Sequence, residues 1–270
     1  MMKNLAQLQQ LQGKVIVVTG GSSGIGKSVA YEAASRGMIV IVLARHLDAL
    51  ETVRQECMAL SHQPAYAIPL DVSDPDDIDR AVAQINAQVD QVDVLVNAAG
   101  FGVFENAFDV APKTVAQMFK VNVLGLMYLS QKLGTQMVTN ERGQIINISS
   151  MAGKMATPKS AVYSATKFAV RGYSDGLRLE LRPAGVQVTA VYLGPVKTNF
   201  FTTADAGGDY LKQVDWIVLD PDRVAKRIVD SIGHEKRDIN MPAVMEVAAR
   251  FYQLFPHLGD WLAGGLFNRK

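Results

Sequence analysis

Apolar positions along this chain follow two alternating rhythms. Short, nearly unbroken runs recur at VIVVT (15–19), IVIVLA (39–44), AYAIPL (65–70), VDVLVN (92–97), GQIINIS (143–149) and VQVTAVYL (186–193), with a shorter DINM at 238–241. They are rich in β-branched residues and have few polar interruptions, as expected of parallel strands covered on both faces. Between them lie GIGKSVAYEAASRG (24–37), DPDDIDRAVAQINAQ (74–88) and YSATKFAVRGYSDGLRLELR (163–182), whose apolar residues repeat at helical spacing. Asp74 before Pro75 marks a helix start, and Gly37 and Gly185 mark stops. Repeated strand–helix units predict right-handed crossovers and one doubly wound parallel α/β sheet of about seven strands, with helices on both faces. Nothing resembling a Pro/Ser linker breaks the pattern. The expected organisation is a single domain over 1–270, with an N-terminal tail (1–12), an insertion (199–220) and a C-terminal helical extension (243–270).

The turn after the first run reads TGGSSGIGKSVA, from Thr19 to Ala30. In a doubly wound sheet the first strand–helix turn commonly holds phosphate against a helix N-terminus. Gly20 permits the tight turn, Gly24 lets backbone approach a pyrophosphate, and Gly26 lets the helix pack closely on the sheet. A glycine-rich turn also occurs in α/β proteins without such a ligand. At the end of the second run, where a dinucleotide site needs an acid for a ribose 2′-hydroxyl or a base for a 2′-phosphate, the chain has Leu43-Ala44-Arg45-His46. Arg45 offers a charge-assisted, potentially bidentate partner, which favours NADP(H) over NAD(H). Otherwise it is a solvated residue opening the next helix. Asp71 is placed either to accept a hydrogen bond from an adenine amino group or to serve as a turn or cap residue.

Tyr163 and Lys167 are four residues apart and project from one helix face. A phenol with an ordinary pKa of about 10 exchanges protons poorly at neutral pH, and a neighbouring ammonium favours its ionised form. The pair is a candidate acid/base catalyst. Ser150 ends a strand just upstream, where its hydroxyl can reach a substrate carbonyl.

TGGSSGIG at 19–26, NAAG at 97–100, Asn122 in VNVLG, Ser150 and YSATK at 163–167 together resemble the short-chain dehydrogenase/reductase family. The resemblance runs from about Lys14 to about Thr198, and it implies a Rossmann-type dinucleotide fold. It implies that Tyr163 is the general acid/base, that Lys167 holds the nicotinamide ribose and lowers the tyrosine pKa, and that Ser150 polarises the carbonyl. Asn122 would anchor a water that extends the proton relay, or simply cap or kink its helix. Ser149 is the alternative hydroxyl, but the family's thirteen-residue spacing before the tyrosine favours Ser150. By the same resemblance Gly20, Ser22, Ser23, Gly24, Ile25 and Gly26 line the cofactor, with Asp71 and Val72 further along it. Asn97 would brace the central strand, and Ala98, Ala99 and Gly100 would border the cofactor. Gly194, Val196 and Thr198 would lie toward the nicotinamide. Here the chain departs from the family's Pro-Gly, reading Leu193-Gly194-Pro195-Val196. Lys154 and Lys159 have no family counterpart and read as solvated charges.

Charge and composition narrow the function classes further. A net charge of +1 argues against a nucleic-acid surface or a polybasic membrane patch. Cys57 is the one cysteine, so an internal disulfide is impossible and a reducing compartment is expected. The start, MMKNLAQLQQLQG, lacks the apolar core of a signal peptide, and no apolar run approaches the ~20 residues of a membrane span. A cytoplasmic homodimer or homotetramer is expected, with no metal and a small carbonyl or alcohol substrate. The insertion, rich in aromatics and carrying Gly207-Gly208, suits a lid over a lipophilic ketone or aldehyde, with Phe101, Phe104, Phe200, Phe201, Tyr210 and Trp216 as candidate lining. The C-terminal piece reads as two amphipathic helices broken at Pro256, with Val247, Phe251, Leu254, Leu258 and Trp261 on the apolar face. That face would pack on the chain's own substrate side or on a sister subunit. Two alternatives to a carbonyl reductase stay open: a cofactor-binding sensor or scaffold without turnover, and a membrane-peripheral lipid-processing reductase.

Overall fold

A computed structural model describes residues 7–204 and 214–266. Seven parallel strands form one sheet in the order β3-β2-β1-β4-β5-β6-β7. They are β1 (Val15–Thr19), β2 (Ile39–Ala44), β3 (Ala65–Pro69), β4 (Val94–Asn97), β5 (Gly143–Ser150), β6 (Val186–Leu193) and β7 (Asp238–Met241). Within β1, Ile16 and Val18 face one apolar layer while Val15 and Val17 face the other, the alternation a strand imposes when both faces are covered. The first layer packs against α1 (Gly24–Ser35), α2 (Leu47–Ser61) and α8 (Pro221–Val229), through Val29, Leu50 and Val224 among others. The second packs against α3 (Pro75–Gln88) and α5 (Leu126–Thr139), and against Leu177 and Leu181 of α6 (Ala161–Leu181).

The chain order reverses between β1 and β4, and there the carboxyl ends of the strands open a crevice. Of the run predicted at 92–97, the regular strand begins at Val94, although the Asp93 backbone already bonds Val15 and Gln144, each at 3.0 Å, while its side chain accepts the Val15 amide at 3.0 Å and pairs with Arg142 at 3.1 Å. The helix after β4 begins as α4 (Pro112–Phe119), widens to a π-helical turn over Lys120–Gly125, and continues as α5. A wide turn of this kind accommodates one extra residue and bends the helix locally. It also receives the carbonyl of Val72, which approaches Gly125 so closely that a Cβ there would lie 2.3 Å from it.

The extension forms α9 (Ala243–Leu254) and α10 (Pro256–Leu266), with the break falling at Pro256. Its apolar stripe does not pack on the body: Val247 and Leu254 are 67% and 74% exposed, and Phe251, Leu258 and Trp261 are also open. The docked stripe is instead Met245, Glu246, Ala249 and Gln253. Amphipathic spacing identifies an apolar face, but a polar clamp and one small residue decide which face meets the sheet.

Two glycine substitutions should have opposite effects. At Gly26 a Cβ would sit 2.4 Å from the Gly20 carbonyl oxygen, so Gly26→Ala should destabilise by more than ~2 kcal/mol or prevent folding. Exposed Gly172, inside α6 with nothing within 4 Å of a built Cβ, should gain up to ~1 kcal/mol as alanine. Urea denaturation of both variants checks the pair. A Gly26→Ala protein as stable as wild type would contradict the close packing.

Candidate active site

The glycine turn leaves β1 at the sheet's switch point. Gly20 has a left-handed φ of +65°, and a Cβ there would meet the Ala99 backbone at 3.0 Å. Thr19 Oγ1 accepts the amides of both Ala98 and Ala99, each at 3.0 Å, so the turns after β1 and β4 are tied edge to edge. Gly21 donates to Leu43 at the end of β2, which brings the Arg45 bend beside the turn. Ser23 precedes α1 but its side chain makes no capping bond, and the first turn holds no acidic residue. The opening amides of Gly24, Ile25 and Gly26 therefore lack both the side-chain acceptor and the negative charge that usually settle a helix start. A phosphate supplies both. Ser22 is half-buried in this turn and Ile25 packs on the apolar layer beneath it.

Arg45 stands exposed just beyond β2, with no hydrogen bond or ion pair to any described residue. Asp71 Oδ1 accepts from the Ser73 amide at 2.9 Å and the Ser73 hydroxyl at 2.7 Å. The turn role considered for Asp71 is thus real, and one carboxylate oxygen remains for an outside donor. Gly24 lies beside Thr198, 3.5 Å from where a Cβ would be, so the loop after β6 reaches the glycine turn. Val196 bridges to Leu219, and Gly194 donates to Met241 at 2.7 Å. The segment from Lys197 thus leaves and returns at one point, tied by Leu219 to Pro195 at 2.8 Å and Lys197 to Leu219 at 2.9 Å.

Lys167 is buried on α6, and its ammonium donates to the Ile148 carbonyl of β5 at 3.1 Å. An ammonium has three donors, and the described residues supply one acceptor, leaving donors for the hydroxyls of a bound ribose. Burial lowers its pKa to about 8. At pH 7 it is still mostly an ammonium, but one with little hydration, so its field on neighbours is strong. Its Nζ lies 5.7 Å from the Tyr163 ring centre and 3.6 Å from where a Cβ on Gly100 would be. Tyr163 is itself buried, with Phe104 at 5.8 Å and Phe200 at 5.7 Å between ring centres. Phe201, beside it on the short helix α7 (Phe200–Ala204), joins the same cluster at 5.2 Å from Phe200. Trp216 does not join it and stands 77% exposed, while Gly207, Gly208 and Tyr210 lie outside the described residues.

The two serines at the end of β5 part company. Ser149 is buried, with its hydroxyl donated to the Lys167 carbonyl at 3.2 Å. Ser150 is half-buried, accepts the Ala152 amide at 3.1 Å and holds the Leu193 carbonyl only at 3.3 Å. Its proton is the one a new acceptor can take over. Asn122 sits in the π-helical turn, where its side chain clamps Phe101 from both sides: Oδ1 accepts the Phe101 amide at 3.0 Å, and Nδ2 donates to the Phe101 carbonyl at 2.8 Å and to Thr166 at 3.1 Å. Asn97, inside the sheet, donates to Ser130 and Asn147, each at 2.9 Å.

One sequence expectation fails here. Lys154 is not a solvated charge but is 7% exposed, bonded to Asn240 and Glu246, because acceptors from β7 and α9 meet beside the Ser150 turn. Lys159 is half-buried with a left-handed φ of 60°.

The model of the short chain dehydrogenase family matches residues 14–207. The chain belongs to this family. A dehydrogenase/reductase SDR family protein 7-like from Drosophila melanogaster is 34% identical over 94% of this chain and 80% of its own length. Among solved structures, a metagenomic short-chain oxidoreductase in complex with NADP superposes with a TM-score of 0.73 at 28% identity, over 86% of this chain and 98% of its own. A 3-ketoacyl-(acyl-carrier-protein) reductase from Brucella melitensis complexed with NADH gives 0.78 at 28%, over 85% and 97%. The chain is therefore a short-chain oxidoreductase with the Rossmann-like sheet of its relatives. Its uncapped helix start and its lysine with donors to spare fit the nicotinamide dinucleotide that this family uses.

Burial of Lys167 has a consequence for stability. Its folded pKa of about 8 lies below the ~10.4 of free lysine, so between those values the unfolded chain binds a proton that the folded one does not. The cost of charging it is complete below pH 8 and disappears as pH rises toward 10.4, a span worth on the order of 3 kcal/mol. Lys167→Met has no such dependence, so its stability relative to wild type should be greatest below pH 8 and fall as pH rises to 10. Urea unfolding of both proteins across that range measures it. A pH-independent difference would contradict the burial argument.

Proposed function

We propose that this short-chain oxidoreductase uses NADP(H) and reduces the carbonyl of a lipophilic ketone or aldehyde. The observation that supports this most is the placement of Tyr163 and Lys167 on one helix, with the ammonium 5.7 Å from the tyrosine ring centre, the Ser150 turn packed on that helix at Gly153, and phenylalanine rings beside the tyrosine. In this reading the opening amides of α1 hold the pyrophosphate and Arg45 pairs with the 2′-phosphate. Asp71 takes the adenine amino group, while Ala98, Ala99 and Gly100 border the cofactor's middle. Val196 and Thr198 meet the nicotinamide end, and the spare donors of Lys167 hold its ribose.

When bound, the cofactor supplies hydride to the carbonyl carbon. As the oxygen gains negative charge, the Ser150 hydroxyl turns from Leu193 to that oxygen and the Tyr163 hydroxyl gives it a proton. The poorly hydrated ammonium of Lys167 stabilises the phenolate left behind. Asn122 supports this arrangement by fixing Phe101, whose neighbour Gly102 packs against the Tyr163 ring. Phe104, Phe200 and Phe201 give the substrate side an apolar wall. The enzyme is taken to work in the cytoplasm as a homodimer or homotetramer, an assembly that the open apolar stripe of α9 and α10 supports. Among the described residues no helix is long and apolar enough to cross a membrane.

Two variants test separate halves of the proposal. Removing the charge-assisted contact in Arg45→Ala should cost ~1.5–3 kcal/mol, or about 10- to 150-fold, in the NADPH-over-NADH binding ratio. An unchanged ratio in titrations of both cofactors would reject the NADP(H) assignment. Tyr163→Phe should keep NADPH binding while turnover falls ~10²-fold or more on a ketone found by screening a panel with NADPH and NADH. Wild-type turnover by this variant would reject Tyr163 as the proton donor.

A further inference from the structure

The Ser150 turn is anchored at three points. At its head, Ser150 Oγ accepts the Ala152 amide and touches the Leu193 carbonyl. In its middle, Gly153 packs so close to α6 that a Cβ would lie 2.6 Å from the Lys167 carbonyl oxygen. At its end, Lys154 reaches away from solvent to Asn240 Oδ1 of β7 and Glu246 Oε2 of α9, both at 2.7 Å, with its Nζ 4.1 Å from the Tyr192 ring centre on β6.

A buried ion pair stabilises little in net terms, since desolvating two charges offsets most of their attraction; what it supplies is a preference for one arrangement. Here that arrangement joins the Ser150 turn, the sheet edge and α9. Glu246 is held further by Arg250 Nε at 2.8 Å, and Gln253 donates to the Lys154 carbonyl at 3.4 Å. Burial would raise the Glu246 carboxyl, but the hydrogen bonds from Lys154 and Arg250 outweigh it and keep its pKa below the ordinary glutamate value. The same helix also abuts the loop after β6, where Met245 Sδ is 2.6 Å from where a Gly194 Cβ would stand. One helix thus borders both loops flanking the reacting centre.

We propose that Lys154 is a positioning residue for the reaction: by tying the Ser150 turn to Asn240 and Glu246, it fixes the Ser150 hydroxyl where the substrate oxygen develops charge. The inference rests on the reading of Ser150 given above, and it predicts that Lys154 acts through Ser150 and nothing else in the centre. Hydrogen bonds aimed at a developing charge lose their effect on displacement by a fraction of an ångström to an ångström.

The experiment is a double-mutant cycle in the full-length protein, with Lys154→Met, Ser150→Ala and the double variant assayed with NADPH and the panel-identified ketone. Lys154→Met leaves Glu246 paired with Arg250, so no bare buried charge remains. It should lower kcat ~10-fold with the NADPH Kd within about twofold of wild type, while Ser150→Ala loses ~10²-fold. The double variant should be no slower than Ser150→Ala. A lysine that merely stabilises the fold would lower Tm and leave kcat within about twofold well below Tm. That outcome overturns the inference, as does a Lys154→Met loss that multiplies onto Ser150→Ala. Wild-type turnover by Ser150→Ala would instead defeat the reading of Ser150 itself. If Lys154→Met does not yield folded protein, Glu246→Gln, which keeps an acceptor facing Nζ, takes its place with the same expected pattern and the same overturning results.

Discussion

The ammonium of Lys167 is held in a place where a lysine is costly to keep. α6 crosses the end of β5 so that Nζ meets the Ile148 carbonyl at 3.1 Å, with no other acceptor from a described residue and little water. Much of the centre follows from that placement. The helix that carries the lysine also carries Tyr163 one turn earlier, on the same face. Its backbone carbonyl occupies Ser149, which leaves Ser150 as the hydroxyl with a replaceable acceptor. The ammonium borders Gly100, where a Cβ would lie 3.6 Å from Nζ and 3.1 Å from Asn122 Oδ1. A charge stripped of solvent is destabilising to the fold, and the apolar layers on both faces of the sheet offset its cost.

The opposite wall is built by close approach of backbone. Gly26 against Gly20, and Gly20 against Ala99, bring the start of α1 and the end of β4 within contact. An uncapped helix start then faces the same crevice as the buried ammonium. Positive potential from an oriented set of amides and from one lysine converges where the strand order reverses, a field suited to an anionic dinucleotide. Close backbone packing on this side contrasts with the surroundings of Tyr163, where the wall consists of phenylalanine rings meeting at edge and tilted angles.

Much of this was legible in the sequence, for identifiable physical reasons. Buried parallel strands have to be apolar on both faces, so VIVVT and IVIVLA declare themselves, and a turn that excludes side chains has to be written in glycine. Tyr163, Lys167 and Ser150 were legible because a helix period and a strand end fix their geometry locally. Lys154 was not. Its acceptors Asn240 and Glu246 lie 86 and 92 residues away, and a lysine in an irregular turn looks solvated until they are placed. The orientation of α9 was hidden for a similar reason: Val247 and Leu254 mark the more apolar stripe, yet Met245, Glu246 and Ala249 make the contact. The π-helical turn at Asn122 carried no local signal beyond the asparagine itself, and the Val72 carbonyl that packs against Gly125 comes from the distant loop after β3.

The claim on which the account turns is that the fold desolvates Lys167 while leaving it cationic at neutral pH. Lysine side-chain nitrogens labelled with nitrogen-15 can be followed by NMR as pH is raised, with Lys167→Met identifying the resonance. The account predicts that this one lysine titrates with a midpoint of about 8 in the free protein. A midpoint near the ~10.4 of free lysine would show that the ammonium is hydrated, and would contradict the account.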